Sequence, residues 1–153
     1  MYIGTFKETV EGECRVAISP ESCKKLTELG CNILIEKDAG INSSFSNSSY
    51  EAAGAKLLNN KLDIINQTDI LLSVTSIPDK KIIESSKENL IVVGTFNPYE
   101  NKKSLKSLAF KKINVLSLDL LPRISRAQSM DVLSSQANLA GYKAVILASN
   151  LFR

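Results

Sequence analysis

The sequence predicts an α/β protein with an open, mostly parallel, Rossmann-like (flavodoxin-like) sheet of about five strands, flanked by helices and ending in a long C-terminal helix. Apolar runs rich in Ile, Val and Leu recur without polar alternation, the pattern of strands buried on both faces. Helical stretches with recognisable caps lie between these runs, as crossovers between parallel strands require. A chain of 153 residues, 44% hydrophobic and 23% charged, is long enough for one core and too apolar for disorder.

The elements follow in order. Residues 2–7 are the first candidate strand. Ser19 then precedes Pro20, an N-cap followed by proline at the first helical position, and Leu29-Gly30 supplies a glycine stop. Residues 32–36 form the second strand. In residues 42–48, Ser and Asn side chains compete for backbone hydrogen bonds, which predicts an exposed loop, and residues 49–55 read as a short helix. The third strand spans residues 70–75, and Pro78-Asp79 opens a helix toward Lys87. The fourth spans 90–96, Pro98-Tyr99-Glu100 opens a helix to about Lys112, and the fifth spans 114–118. After Leu121-Pro122, a polar stretch over 123–131 leads into a helical pattern over 132–152. Its first half is small and polar, whereas Ala144-Val145-Ile146-Leu147-Ala148 is apolar nearly all round, which implies burial against a large surface. The glycines sit at turn, cap and close-packing positions. No repeat or linker divides the chain, so residues 1–153 read as one domain.

Composition excludes several function classes. Nineteen Lys+Arg against sixteen Asp+Glu give +3, scattered along the chain, which argues against nucleic acid. No apolar run approaches the roughly 20 residues of a bilayer span, and Met1 leads into Tyr-Ile-Gly-Thr-Phe-Lys instead of a signal sequence, so the chain reads as cytoplasmic. Cys14, Cys23 and Cys31 are odd in number and form no C-x-x-C pair, so they read as reduced and structural, without a disulfide framework or a zinc site. The absence of histidine removes Ser-His-Asp and Cys-His nucleophile systems and histidine metal clusters. Any chemistry must draw its reactive atom from a cofactor or a partner. The lack of G-x-G-x-x-G after any candidate strand, and of G-x-x-x-x-G-K-[ST], argues against a complete dinucleotide site.

Two places carry candidate chemistry. The stretch 122–131, Pro-Arg-Ile-Ser-Arg-Ala-Gln-Ser-Met-Asp, lies where the fifth strand's carboxyl end meets a helix, the position at which open α/β sheets bind ligands. Arg123 offers a planar fork for a carboxamide, carboxylate or phosphate. Gln128 both donates and accepts, Asp131 accepts from a ribose or amide, and Ser134 follows on the next turn. In the alternative reading, Asp131 caps the helix and the arginines are solvated. The residues alone leave both open. Near the first strand's carboxyl edge, Arg15 is either an anion site or the partner of Glu13, and the residues alone favour the pair.

The string from Pro122 to Val145, Pro-Arg-Ile-Ser-Arg-Ala-Gln-Ser-Met-Asp-Val-Leu-Ser-Ser-Gln-Ala-Asn-Leu-Ala-Gly-Tyr-Lys-Ala-Val, closely resembles the amino-terminal part of the alpha subunit of proton-translocating NAD(P) transhydrogenase. Ile3-Gly4, Lys7-Glu8, Glu13-Cys14-Arg15-Val16-Ala17, Pro20, Ala39-Gly40 and Tyr50-Glu51-Ala52-Ala53-Gly54-Ala55 resemble the start shared by transhydrogenases and alanine dehydrogenases. The resemblance covers the whole chain and is weakest between about Asn59 and Leu118.

It implies an NAD(H)-binding domain that passes hydride to NADP(H) on a partner domain, coupled to proton translocation through a membrane domain. Arg123, Gln128 and Asp131 match the family's Arg-Gln-Asp loop. By the resemblance, Arg123, Asp131 and Ser134 contact the nicotinamide and ribose of NAD(H), and Gln128 lies toward the partner's nicotinamide. All four position and none acts as acid or base, in keeping with the absence of histidine. No metal is implied. The implied partners are the remaining alpha- and beta-subunit pieces and a second copy, with membrane attachment only through them. Family members continue into a Rossmann domain that this chain does not reach, so it is expected to be inactive alone.

The departures bear on the competing readings. Alanine dehydrogenases carry a lysine after the third strand and a histidine after the fourth, where this chain has Leu72-Ser73-Val74-Thr75 and Thr95-Phe96-Asn97. Amino-acid dehydrogenation is thereby disfavoured, although Arg15 matches that relative's substrate arginine. Transhydrogenases commonly show Lys-Val where this chain has Ser73-Val74, and Pro where it has Phe6. The alternatives are a non-catalytic interaction module or truncated fragment of the family, and a binder of small ligands within the five strands.

Overall fold

The computed structural model describes residues 1–152. Six strands alternate with helices: β1 (Tyr2–Thr5), α1 (Pro20–Glu28), β2 (Asn32–Glu36), α2 (Asn47–Ala52), β3 (Lys56–Leu58), α3 (Lys61–Ile65), β4 (Ile70–Leu72), α4 (Lys80–Glu84), β5 (Ile91–Gly94), α5 (Lys102–Phe110), β6 (Asn114–Ser117) and α6 (Val132–Leu151). All neighbouring strands are parallel, in the order β3-β2-β1-β4-β5-β6. The expected α/β fold is present, with one strand more than the five read from the sequence. Without β3 the order would be that of flavodoxin; β3 on the far edge of β2 makes it the doubly wound Rossmann order.

The helices begin where short polar side chains satisfy their first amides. Ser19 accepts from the Ser22 amide at 3.2 Å, with Pro20 at the first turn, and Gly30 ends the segment at φ +82°, a conformation glycine adopts without strain. Ser46 accepts from the Ser49 amide at 3.2 Å, so α2 starts inside the stretch expected to be loop: its serines and asparagines supply the cap. Asn60 and Asp79 cap α3 and α4 in the same way. Before α5, Asn101 turns its amide to the Phe96 carbonyl at 2.8 Å, and residues 98–101 form a turn where the sequence predicted the helix to begin.

The strands also stop earlier than their apolar runs. Beyond the strand ends two backbone amides turn to carboxylates: the Lys7 amide donates to Glu36 at 2.7 Å and the Val74 amide to Glu8 at 2.6 Å. The core lies on both faces of the sheet. Leu71 packs with Ile65, Ile83, Val92, Phe96 and Leu108, while Ile70 and Leu72 pack against the cluster of Ile3, Ile18, Ile33, Ile35 and Tyr50. Neighbouring residues of one strand face opposite ways, so β4 separates two apolar layers. The Tyr50 hydroxyl donates to the Ile18 carbonyl at 2.8 Å inside the second layer, and burial pushes the phenol up to about 12. Cys23 lies in the same layer and Cys31 packs against it, whereas Cys14, also read as structural, is exposed; all three thiols are free.

The chain divides into two compact units, Met1–Ser117 and the residues from Leu118 onward. The second comprises a short 3-10 turn over Leu118–Leu120, a 3-10 segment over Ser125–Met130 and the 20-residue α6. No residue of α6 is buried, and Val145, within the apolar stretch expected to meet a large surface, is 66% exposed.

Candidate functional site

In the second unit the polar stretch is compact. After Ile124, in extended conformation, residues 125–130 wind into a 3-10 turn pinned by Ala127, its one buried side chain. The turn hands the chain to α6 at Asp131. Arg123, Gln128, Asp131 and Ser134 all line one concavity of about 330 Å³, together with Pro122, Ile124, Ser125 and Ala127. Every site residue predicted for this stretch is therefore gathered in one place.

Asp131 is the N-cap of α6. Its Oδ1 accepts from the amides of Leu133 and Ser134 at 3.1 and 3.0 Å, and its Oδ2 from the Ser134 hydroxyl at 2.6 Å. The hydroxyl bond of Ser134, then its amide, and the nearby charge of Arg123 hold the carboxyl below its ordinary range, so it is ionised at neutral pH. The capping reading is thus correct for Asp131, and it coexists with exposure to the concavity. The Ser134 proton is spent on Asp131, which leaves its oxygen as an acceptor. Toward a ligand, the wall offers donors from Arg123 and Gln128 and acceptors from Asp131, Ser134 and Gln128. That set matches a carboxamide with adjacent hydroxyls. Among the described residues no group of three His, Cys, Asp or Glu could hold a metal ion.

In the first unit, the strand order reverses between β1 and β4, and ligands of such sheets enter the crevice outside the carboxyl ends of those strands. Arg15 lies in the loop after β1, in fork contact with Glu13: Nε to Oε1 at 2.8 Å and a terminal nitrogen to Oε2 at 2.7 Å. The bond lowers the Glu13 carboxyl and raises the Arg15 guanidinium.

The crevice also holds a residue that the sequence reading missed. Glu8 is 8% exposed, and the loop after β4 wraps its carboxylate. Oε1 accepts from the Val74 amide at 2.6 Å; Oε2 accepts from the amides of Thr75 and Ser76 at 3.3 and 2.9 Å and from the Ser76 hydroxyl at 2.6 Å. Burial raises this carboxyl, but the Ser76 hydroxyl and the three amides outweigh it, and the net shift is downward. A lone Glu in a loop carries no pattern. The sequence signals are the Lys7-Glu8 pair of the shared start and the hydroxyls Ser73, Thr75 and Ser76 after a buried strand.

The model of the alanine dehydrogenase/PNT N-terminal domain matches residues 4–140. The chain belongs to this family. The NAD(P) transhydrogenase subunit alpha of Haemophilus influenzae is 41% identical over 152 residues, covering 99% of this chain and 29% of that protein. The crystal structure of transhydrogenase from Sinorhizobium meliloti aligns with a TM-score of 0.86 and 40% identity, over 96% of this chain and 44% of that one. Alanine dehydrogenase 1 of Staphylococcus aureus is more distant, at 28% identity over 97% of this chain and 38% of that protein. This alanine dehydrogenase/PNT N-terminal domain thus stands nearer the transhydrogenase alpha subunits, and it spans 29% of the length of the curated relative from Haemophilus. Among the described residues no helix is long and apolar enough to cross a membrane.

Proposed function

We propose that this domain supplies the nicotinamide-facing loop of a proton-translocating NAD(P) transhydrogenase, the amino-terminal portion of an alpha subunit. The observation that supports this reading is the shared concavity of Arg123, Gln128, Asp131 and Ser134, whose donors and acceptors match a carboxamide and ribose. The relatives named as transhydrogenase subunits favour the same reading. Nicotinamide rings supply the chemistry, a hydride passed between two ring carbons. The chain's residues contribute position: Arg123, Asp131 and Ser134 hold the carboxamide and ribose side of NAD(H), and Gln128 faces the NADP(H) of a partner domain. No metal is required, and no protein acid or base.

In this reading the chain holds part of an NAD(H) site. The pyrophosphate and adenine contacts come from a Rossmann domain, and the complex pairs alpha and beta pieces, a second copy included, at the cytoplasmic side of the membrane. Arg15 is a secondary anion site, at which a ligand would compete with Glu13 for the guanidinium. A second reading, a non-catalytic interaction module, is favoured by the exposed apolar residues of α6. Mixing the chain with the remaining alpha and beta pieces and following reduction of an acetylpyridine NAD analogue by NADPH separates the two. Activity that requires this chain supports the enzyme component, and activity unaffected by omitting it supports the module.

A further inference from the structure

The crevice at the reversal of strand order is already filled, and by the chain itself. Consecutive amides of Val74, Thr75 and Ser76 converge on the Glu8 carboxylate, forming an oxyanion nest of backbone dipoles. The Ser76 hydroxyl adds a bond at 2.6 Å, while accepting from the Thr9 amide at 3.2 Å. The hydroxyls of Ser73 and Thr75 lie 3.0 and 3.4 Å from the same carboxylate.

Further bonds tie the loop to its surroundings. Ser73 donates its amide to the Val93 carbonyl at 2.9 Å, and its single hydroxyl proton is shared between Glu8 and the Ser76 carbonyl at 2.7 Å. Thr95 donates its amide to the Val74 carbonyl at 2.9 Å and its hydroxyl to the same oxygen. These bonds tie the loop to β5 and the segment after it. A preorganised set of donors, complete before its anion arrives, is what a carboxylate-binding site consists of.

We propose that the 73–76 loop is a binding site for a small carboxylate whose ligand is the chain's own Glu8, and that Glu8 thereby bars external carboxylates from the crevice between β1 and β4. The site lies wholly in the first unit, so its test does not depend on hydride transfer.

Glu8→Ala removes an acetate-sized fragment, and acetate is the probe, with chloride at equal ionic strength as control. In the folded variant, acetate should raise the melting temperature saturably by about 3 °C and move the amide resonances of Val74, Thr75 and Ser76. The parent chain and Glu8→Gln, whose side chain still fills the space, should show neither effect. If Glu8→Ala fails to fold, acetate and not chloride should restore its fold. A folded Glu8→Ala indifferent to acetate, an unfolded one that acetate does not rescue, or an equal response in the parent chain or Glu8→Gln would each overturn the proposal.

Discussion

Asp131 and Ser134 are joined twice across the first turn of α6, amide to Oδ1 at 3.0 Å and hydroxyl to Oδ2 at 2.6 Å. The two hydrogen bonds fix the chemistry of the loop. They leave Ser134 an acceptor, keep Asp131 ionised, and assign donation to Arg123 and Gln128. The same carboxylate that ends the loop starts the helix, so the site and α6 are ordered together.

Removing that cap should loosen the helix start. Asp131→Ala is expected to lower hydrogen-exchange protection at the Leu133 and Ser134 amides about 5-fold, while Asp131→Asn, which keeps an accepting oxygen, retains most of it. Unchanged protection in the alanine variant, measured by NMR, would show that the turn is held by other contacts.

The isolated chain should bind NADH poorly. A few hydrogen bonds worth about 1 kcal/mol each give a dissociation constant no tighter than about 1 mM. Calorimetric titration checks this, and micromolar binding would mean that the chain carries more of the site than the loop.

Glu8 should make stability depend on acid. Its carboxyl titrates below the ordinary 4.5 in the folded chain, so its contribution is complete above that pH and is lost as pH falls through the depressed folded value. Thermal unfolding between about pH 6 and 3 should therefore show a shallower acid slope in Glu8→Gln than in the parent. A slope remains in the variant, because Glu13, Asp69 and Asp131 are also held low.

Gly94 closes β5 against its neighbour. A Cβ there would stand 2.7 Å from the Ser73 carbonyl oxygen and 2.6 Å from the Phe96 ring, neither of which can retreat without moving the sheet or the core. Gly94→Ala should destabilise by about 1–3 kcal/mol in denaturant unfolding, and an effect within error would show that the strands yield.

Much of this was legible from residues near one another in sequence. Ile33, Leu34 and Ile35 form an unbroken apolar run and are buried on both faces of β2. Arg123, Gln128, Asp131 and Ser134 meet through the local turn alone, so their pattern survived in the string. What depended on distant contacts was hidden. Lys56-Leu57-Leu58 has no β-branched residue and becomes a strand only because the exposed edge of β2 offers it hydrogen bonds. Glu8 acquires its role from a loop more than sixty positions away. The apolar stretch of α6 announced burial, a property that depends on whatever surface meets the helix.

Reverse transhydrogenation with the full set of alpha and beta pieces tests the central claim most directly, comparing the parent chain with Arg123→Ala and Gln128→Ala. The account predicts that turnover depends on this chain and that each variant, folded as judged by circular dichroism, loses about 10²-fold in kcat, the cost of misplacing two rings that must meet in near contact. Full turnover from both variants would contradict it.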